Sequence, residues 1–255
     1  MAHVNVISHR GANKYAPQNT VPAFRKSLEL GVDGFETDVH LTADDYIVIC
    51  HNYTVDETSN GSGKVSDMTL ERLRDLDFGS YFSDKFAGTQ LPLLSEFLEC
   101  CTGDDIKVMN IEIKEPLNGD KSIADKVIAE VKEYGLYDKL LISSFDPQIL
   151  IRCKEVDSTC KTGFLYSPDK SITYYKMLFN YVGFAKEIGA EYLHPHFSLV
   201  SEHYVNKCHE NGIGVNPWTV DDDETVKKML RCGVDGIITN CPDSVNKIVN
   251  EFETE

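Results

Sequence analysis

A chain of 255 residues, 42% hydrophobic and carrying a net charge of −16, is long enough for two ordinary domains or for one (β/α) barrel of about 250 residues. The negative charge argues against nucleic acid and anionic membrane surfaces as partners, so a phosphate-bearing substrate has to meet locally placed cations. No window approaches the roughly 20 apolar residues of a membrane span and no basic stretch precedes the short apolar start, which predicts a soluble, cytoplasmic chain without membrane insertion.

The first predicted strand, "VNVIS" (4–8), leads into His9, Arg10 and Gly11. A helix follows from Thr20 to Leu30, with Asn19 as its cap, Pro22 in the first turn and Gly31 as its stop. The second and third strands, "GFETDV" (34–39) and "YIVICH" (46–51), are too close in sequence for a parallel crossover of a dozen or more residues, so they form an antiparallel hairpin. Residues 52–90 are rich in turn formers and too long for an ordinary βα loop. They read as a small inserted segment over the barrel mouth, ordered by the helical "MTLERLRDL" and by Phe78, Tyr81, Phe82 and Phe86.

Six further strands follow: "VMNIEIK" (108–114), "KLLISSF" (139–145), "KTGFLY" (161–166), "AEYLHP" (190–195), "GIGVNPWTV" (212–220) and "VDGIIT" (234–239). Helical patterns at 122–134, 146–155, 172–188, 200–211, 223–232 and 243–252 alternate with or follow them. Without the return strand of the hairpin, eight strands remain, the count of a (β/α)8 TIM barrel. No G-x-G-x-x-G fingerprint follows any strand, which disfavours a doubly wound sheet, and the expected organisation is one domain over 1–255. The eight cysteines show no C-x-x-C spacing and read as buried free thiols of a reducing compartment.

Strand alternation separates Glu36 and Asp38 from Phe35, Thr37 and Val39, and Asn110, Glu112 and Lys114 from Ile111 and Ile113. The apolar faces pack on helices, so the polar faces point into the barrel at its C-terminal end. Buried charges need pairing or a metal, and three carboxylates suit a hard divalent cation such as Mg²⁺ or Ca²⁺. A plain ion-pair network among Glu36, Asp38, Glu112, Lys114 and Arg10 is the competing reading.

Arg10 offers a rigid fork for phosphate oxygens, while His9 and His51, both at strand ends, can move protons near neutral pH. Trp218 can wall the pocket. His40 lies beyond Asp38 and is expected to clear the mouth into solvent. His194 and His196 read as loop-structural, His3, His203 and His209 as terminal or surface groups, and Asn19, Asn216 and Asn240 as capping or turn residues. A cation cluster with two histidines fits phosphoryl transfer on a diester, one histidine removing a proton from the nucleophile and the other protonating the leaving oxygen.

The ordered set "HRGANKYAPQNTVPAF", "GFETDVHLTADDYIVICH", "LPLLSEFL", "NIEIK", "SSF", "WTV" and "GIITNCPD" resembles the glycerophosphodiester phosphodiesterase family across nearly the whole chain. The resemblance implies a TIM barrel and a metal-dependent hydrolysis of small glycerophosphodiesters to glycerol 3-phosphate and an alcohol, passing through a cyclic phosphate. It also implies His9 and His51 as acid and base, Glu36, Asp38 and Glu112 as ligands of one divalent ion, and Arg10 and Lys114 as phosphate contacts. A homo-oligomer is compatible with it. Two positions depart from the family habit, Gln18 in place of a glutamate and Asn240 in place of a frequent aspartate. Alternatives are a lysophospholipase D that uses Phe78, Tyr81, Phe82, Phe86, Trp218 and Phe197 as an apolar groove, a silent phosphodiester-binding barrel, and a glycosidase using Glu36 or Glu112.

Overall fold

The computed structural model describes residues 3–103, 105–168 and 171–254, with backbone alone over 171–179. In chain order, β1 (Asn5–His9) is followed by α1 (Val21–Glu29), then by the hairpin of β2 (Gly34–Leu41) and β3 (Ile47–Ile49). The inserted segment contributes α2 (Leu70–Arg74), and α3 (Leu94–Cys100) leads to β4 (Val108–Ile113) and α4 (Ser122–Glu133). Regular alternation then runs through β5 (Leu140–Ser144), α5 (Pro147–Val156), β6 (Thr162–Tyr166), α6 (Ser171–Ile188), β7 (Tyr192–Pro195) and α7 (Glu202–His209). The chain ends with β8 (Gly214–Val215), α8 (Asp223–Cys232), β9 (Gly236–Thr239) and α9 (Pro242–Thr254).

The parallel strands lie in the order β8-β7-β6-β5-β4-β2-β1-β9, with β3 antiparallel on β2. Pro217 has no N–H to give a ladder, so β8 is short. The gap to β9 is bridged by backbone hydrogen bonds from Asp235 to Val215, Ile238 to Pro217 and Val220 to Ile238, each 3.0 Å. The result is the nearly closed eight-stranded (β/α)8 barrel expected from the strand count.

The outward residues of β2 show why the helices cover it. The Phe35 ring meets Phe24 of α1 at 5.7 Å and Phe97 of α3 at 5.6 Å, all three rings being fully buried. Each such ring contributes about 1.5–3 kcal/mol of apolar burial. Helix α3 is not foreseen from the sequence; Glu96 starts it by accepting the Leu93 N–H at 2.8 Å, and Leu94, Phe97 and Leu98 face the core. Helix α1 is capped by Thr20, whose hydroxyl accepts from the Ala23 N–H, and not by Asn19. Asn19 has φ +56 and turns its amide elsewhere.

Val55, Val65, Met68, Leu73, Phe78 and Leu91 close with Val48 and Cys50 into a second, smaller core, which gives residues 52–90 their order. Helix α2 is shorter than the pattern suggests. Phe78 is buried while Tyr81 and Phe82 keep exposed faces. All eight cysteines are free, seven of them buried. Among the described residues no helix is long and apolar enough to cross a membrane.

Gly11 sits at φ +75, and a Cβ there would lie 2.8 Å from the Ala23 carbonyl carbon and Cβ. Gly11→Ala should therefore lower stability by at least about 1–2 kcal/mol, the left-handed penalty before any clash. Chemical denaturation measures that loss, and kcat/KM should fall too, because Arg10 shares the turn at φ +57. An unchanged midpoint would contradict the account of this turn.

Candidate active site

Register brings the polar faces together. His9 pairs with Glu36 across β1 and β2, and Asp38 pairs with Glu112 across β2 and β4. Oxygens of Glu36, Asp38 and Glu112 all lie within 4.8 Å of one another, and the three side chains are buried. Lys114 Nζ stands 2.7 Å from Asp38 Oδ1 and 2.6 Å from Glu112 Oε1. Arg10 Nε lies 3.5 Å from Asp38 Oδ2, and the Arg10 backbone N–H donates to Glu36 Oε2 at 3.2 Å. The ion pairs anticipated from the sequence are thus present among Asp38, Glu112, Lys114 and Arg10, while Glu36 meets Arg10 only through the backbone N–H.

The network is not balanced. Three carboxylates against one lysine and one arginine leave a formal charge of −1 when all are ionised. The consequence falls on the glutamates. Burial, with Asp38 and Glu112 beside it, pushes the Glu36 carboxyl well above its ordinary range. Burial raises Glu112 as well, against the pull of Lys114. Burial would also raise Asp38, but Lys114 and Arg10 outweigh it and hold that carboxyl far below the usual range. Lys114 is raised, its desolvation overcome by Asp38 and Glu112. A group of buried oxygens with surplus negative charge and disfavoured ionisation fits a divalent cation.

The histidines flank this group. His9 Nε2 is 3.8 Å from Glu36 Oε2. Burial and the neighbouring Arg10 push its pKa down to about 3, and burial brings His51 to about 4 despite the attraction of Asp38. Burial therefore favours the neutral form of both rings. His51, Glu112, Lys114, Tyr53 and Phe145 line a hollow of about 430 Å³. His9, Arg10, Gln18, Tyr81, Phe82 and Asn240 line another of about 350 Å³. A larger cleft of about 930 Å³ between α1 and α3 holds none of these residues.

Several positions differ from their expected roles. Asn19 is a site residue: it accepts from Thr37 Oγ1 at 2.8 Å and donates to Asp38 Oδ2 at 2.7 Å, bracing the carboxylate. Asn240 Oδ1 lies 2.7 Å from His9 Nδ1. Asn216 is buried and lies 3.2 Å from the His194 ring, so none of the three is a simple cap or turn residue. His40 does not reach solvent; it is 8% exposed, and Tyr53 from the inserted segment covers its ring at 5.2 Å. His194 is a fully buried strand residue, whereas His196 takes the expected loop role and accepts from the Ser198 N–H. Gln18 accepts from Arg10 Nη1 at 2.8 Å, so an amide does the orienting at this departure from the family habit. The Trp218 ring packs against Phe145 at 5.6 Å and its Nε1 donates to the His194 carbonyl at 2.8 Å. His3 is tied to Asp33 and Glu253, and His209 to Asp235.

Comparison with known proteins bears on the fold and the family. A glycerophosphodiester phosphodiesterase of Caldanaerobacter subterraneus subsp. tengcongensis is 39% identical over 246 residues, covering 96% of this chain and 98% of its own. A solved structure from Silicibacter pomeroyi has a TM-score of 0.89 at 28% identity, covering 98% of this chain and 94% of that one. An Oleispira antarctica phosphodiesterase in complex with the product sn-glycerol-3-phosphate shares the fold, with a TM-score of 0.86, 24% identity and 97% of each chain covered. The model of the glycerophosphoryl diester phosphodiesterase family matches residues 9–244, and the chain belongs to that family.

Proposed function

We propose that this enzyme hydrolyses small glycerophosphodiesters to glycerol 3-phosphate and an alcohol, with His9 and His51 as the proton-transfer pair and Glu36, Asp38 and Glu112 as the ligands of one Mg²⁺ or Ca²⁺ ion. The observation that carries the reading is the group of three buried carboxyls, one negative charge in excess of Lys114 and Arg10 when all are ionised, flanked by His9 and His51. A divalent ion would turn that −1 into +1, and a phosphodiester monoanion would neutralise it. When bound, the ion supplies charge neutralisation at a non-bridging phosphate oxygen.

The residues of the chain do the rest. Arg10, held by Gln18, and Lys114 take the remaining phosphate charge. A neutral histidine accepts the proton of the attacking hydroxyl through Nε2. Its counterpart must be protonated to serve the leaving oxygen, and the bound phosphate anion favours that protonation by opposing the effect of burial. Water then opens the cyclic intermediate with the two roles exchanged. Residues 52–90, through Tyr81 and Phe82, are the cover of the His9 hollow within a single catalytic domain. A cytoplasmic location belongs to the same proposal, supported by the eight free thiols.

The test is release of glycerol 3-phosphate from glycerophosphocholine and glycerophosphoethanolamine, before and after EDTA, and again with Mg²⁺ or Ca²⁺ restored. No release with either metal overturns the proposal. The exposed faces of Tyr81 (41%) and Phe82 (37%) also suit a lysophospholipid chain, so lysophosphatidylcholine belongs in the same assay.

Metal should also show in stability. Glu36 and Glu112 have raised folded values, so the metal-free protein loses stability as pH rises from the unfolded carboxylate range through those values. A divalent ion at about 100-fold over its Kd should add about 2.7 kcal/mol. The accompanying gain in Tm should be large at neutral pH and shrink on acidification, as protons compete for the same oxygens. A gain independent of pH would place the ion elsewhere.

A further inference from the structure

Each histidine is held by the same device. His9 Nδ1 lies 2.7 Å from Asn240 Oδ1, and Asn240 Nδ2 donates to Asp221 Oδ2 at 2.7 Å. His51 Nδ1 lies 2.6 Å from Asn52 Oδ1, and Asn52 Nδ2 donates to Glu57 Oε2 at 2.7 Å. An amide side chain can turn either end toward a neighbour, but a carboxylate only accepts. Asp221 therefore admits one orientation of Asn240, with Nδ2 toward itself and Oδ1 toward His9. Facing an acceptor, Nδ1 of the neutral ring must carry the proton. The lone pair is then on Nε2, the nitrogen nearer Glu36.

The lock at His9 is the firmer one. Asp221 Oδ1 also accepts the Asn240 backbone N–H at 2.8 Å and the Thr239 hydroxyl at 3.1 Å, and Asn13 donates to the same Asn240 oxygen that faces the ring. Asp221 is partly buried, whereas Glu57 is exposed. We propose that Asp221 is a positioning residue for the reaction: by fixing the amide of Asn240 it sets His9 in the tautomer that presents Nε2 to the reacting atoms. Glu57 does the same for His51 through Asn52, at a wetter position. The inference rests on the reading of His9 and His51 as the proton-transfer pair.

The polarity of the chain can be reversed and then restored. Asp221→Asn keeps size and shape but offers a donor, so the Asn240 amide is free to turn its Nδ2 to His9. In the double variant Asp221→Asn with Asn240→Asp, the carboxylate at 240 accepts from both His9 and the amide at 221. We expect Asp221→Asn to lower kcat about 10- to 100-fold with little change in KM, the range found when a partner that orients a histidine ligand from outside a metal site is lost. Nitrogen NMR of labelled histidine should show the Nδ1–H tautomer of His9 in the wild type, its loss in Asp221→Asn and its return in the double variant, along with most of kcat. Glu57→Gln should have a smaller effect.

Wild-type kcat and spectrum in Asp221→Asn would overturn the proposal, as would a double variant no better than the single one. His9→Ala separates the two layers. If it keeps full activity, the proton-transfer reading fails and the role of Asp221 in the reaction fails with it, whatever the spectra show. If it is inactive, the Asp221 variants alone decide.

Discussion

Alanine in place of His9 or His51 should lower kcat by about 10²- to 10⁴-fold, the usual contribution of a positioned acid or base, while the fold stays intact. Neither ring anchors the barrel core. The side chain of His9 is 15% exposed, and His51 sits at the rim of a hollow, so removing either costs little packing. What is lost is a proton acceptor or donor, and neighbouring water replaces it poorly. Both should fall because each step of the proposed reaction uses one ring as base and the other as acid. KM should move little, since Arg10 and Lys114 are the proposed phosphate contacts. Steady-state kinetics beside a thermal melt checks this; wild-type turnover in both variants, with unchanged melting, would remove the histidines from the mechanism.

The charged set is readable from local sequence because strand alternation is a local property: "FETDV" and "NIEIK" place Glu36, Asp38, Glu112 and Lys114 on inward faces without knowledge of the fold. The groups that orient the histidines are not readable in that way. Asn240 stands 231 residues from His9, and a short amide serves a cap, a turn or a buried network equally well. Asn19 misleads for the same reason, since Thr20 beside it caps α1 and leaves the asparagine free to brace Asp38. His40 follows the alternation of its strand correctly, but its burial depends on Tyr53, a neighbour supplied by the inserted segment. Helix α3, seven residues long, is too short for its apolar spacing to stand out from the run "LPLLSEFL".

Glu36 and Asp38 should respond to neutralisation with opposite signs in stability and the same sign in function. The raised Glu36 carboxyl means that the fold opposes its ionisation, so above the unfolded carboxylate range its charge destabilises the metal-free protein. Glu36→Gln should then raise the Tm of the EDTA-treated protein, and abolish most of the gain in Tm that a divalent ion gives. The depressed Asp38 carboxyl means the reverse: its charge contributes stability above its unfolded value and loses it only on strong acidification. Asp38→Asn leaves Lys114 and Arg10 short of their shared partner, and breaking such a buried pair costs about 3–5 kcal/mol. Both substitutions should strip activity, since each removes an oxygen from the proposed ion site and changes the charge available to the phosphate. Thermal melts of the two variants with EDTA and with Mg²⁺ or Ca²⁺ decide the matter. Equal destabilisation would mean that Glu36 is fully compensated within the protein, and the surplus negative charge that calls for a cation would be gone. Divergence would identify the carboxylates as a site whose function is kept at the expense of metal-free stability, as expected where like charges are held together for a ligand.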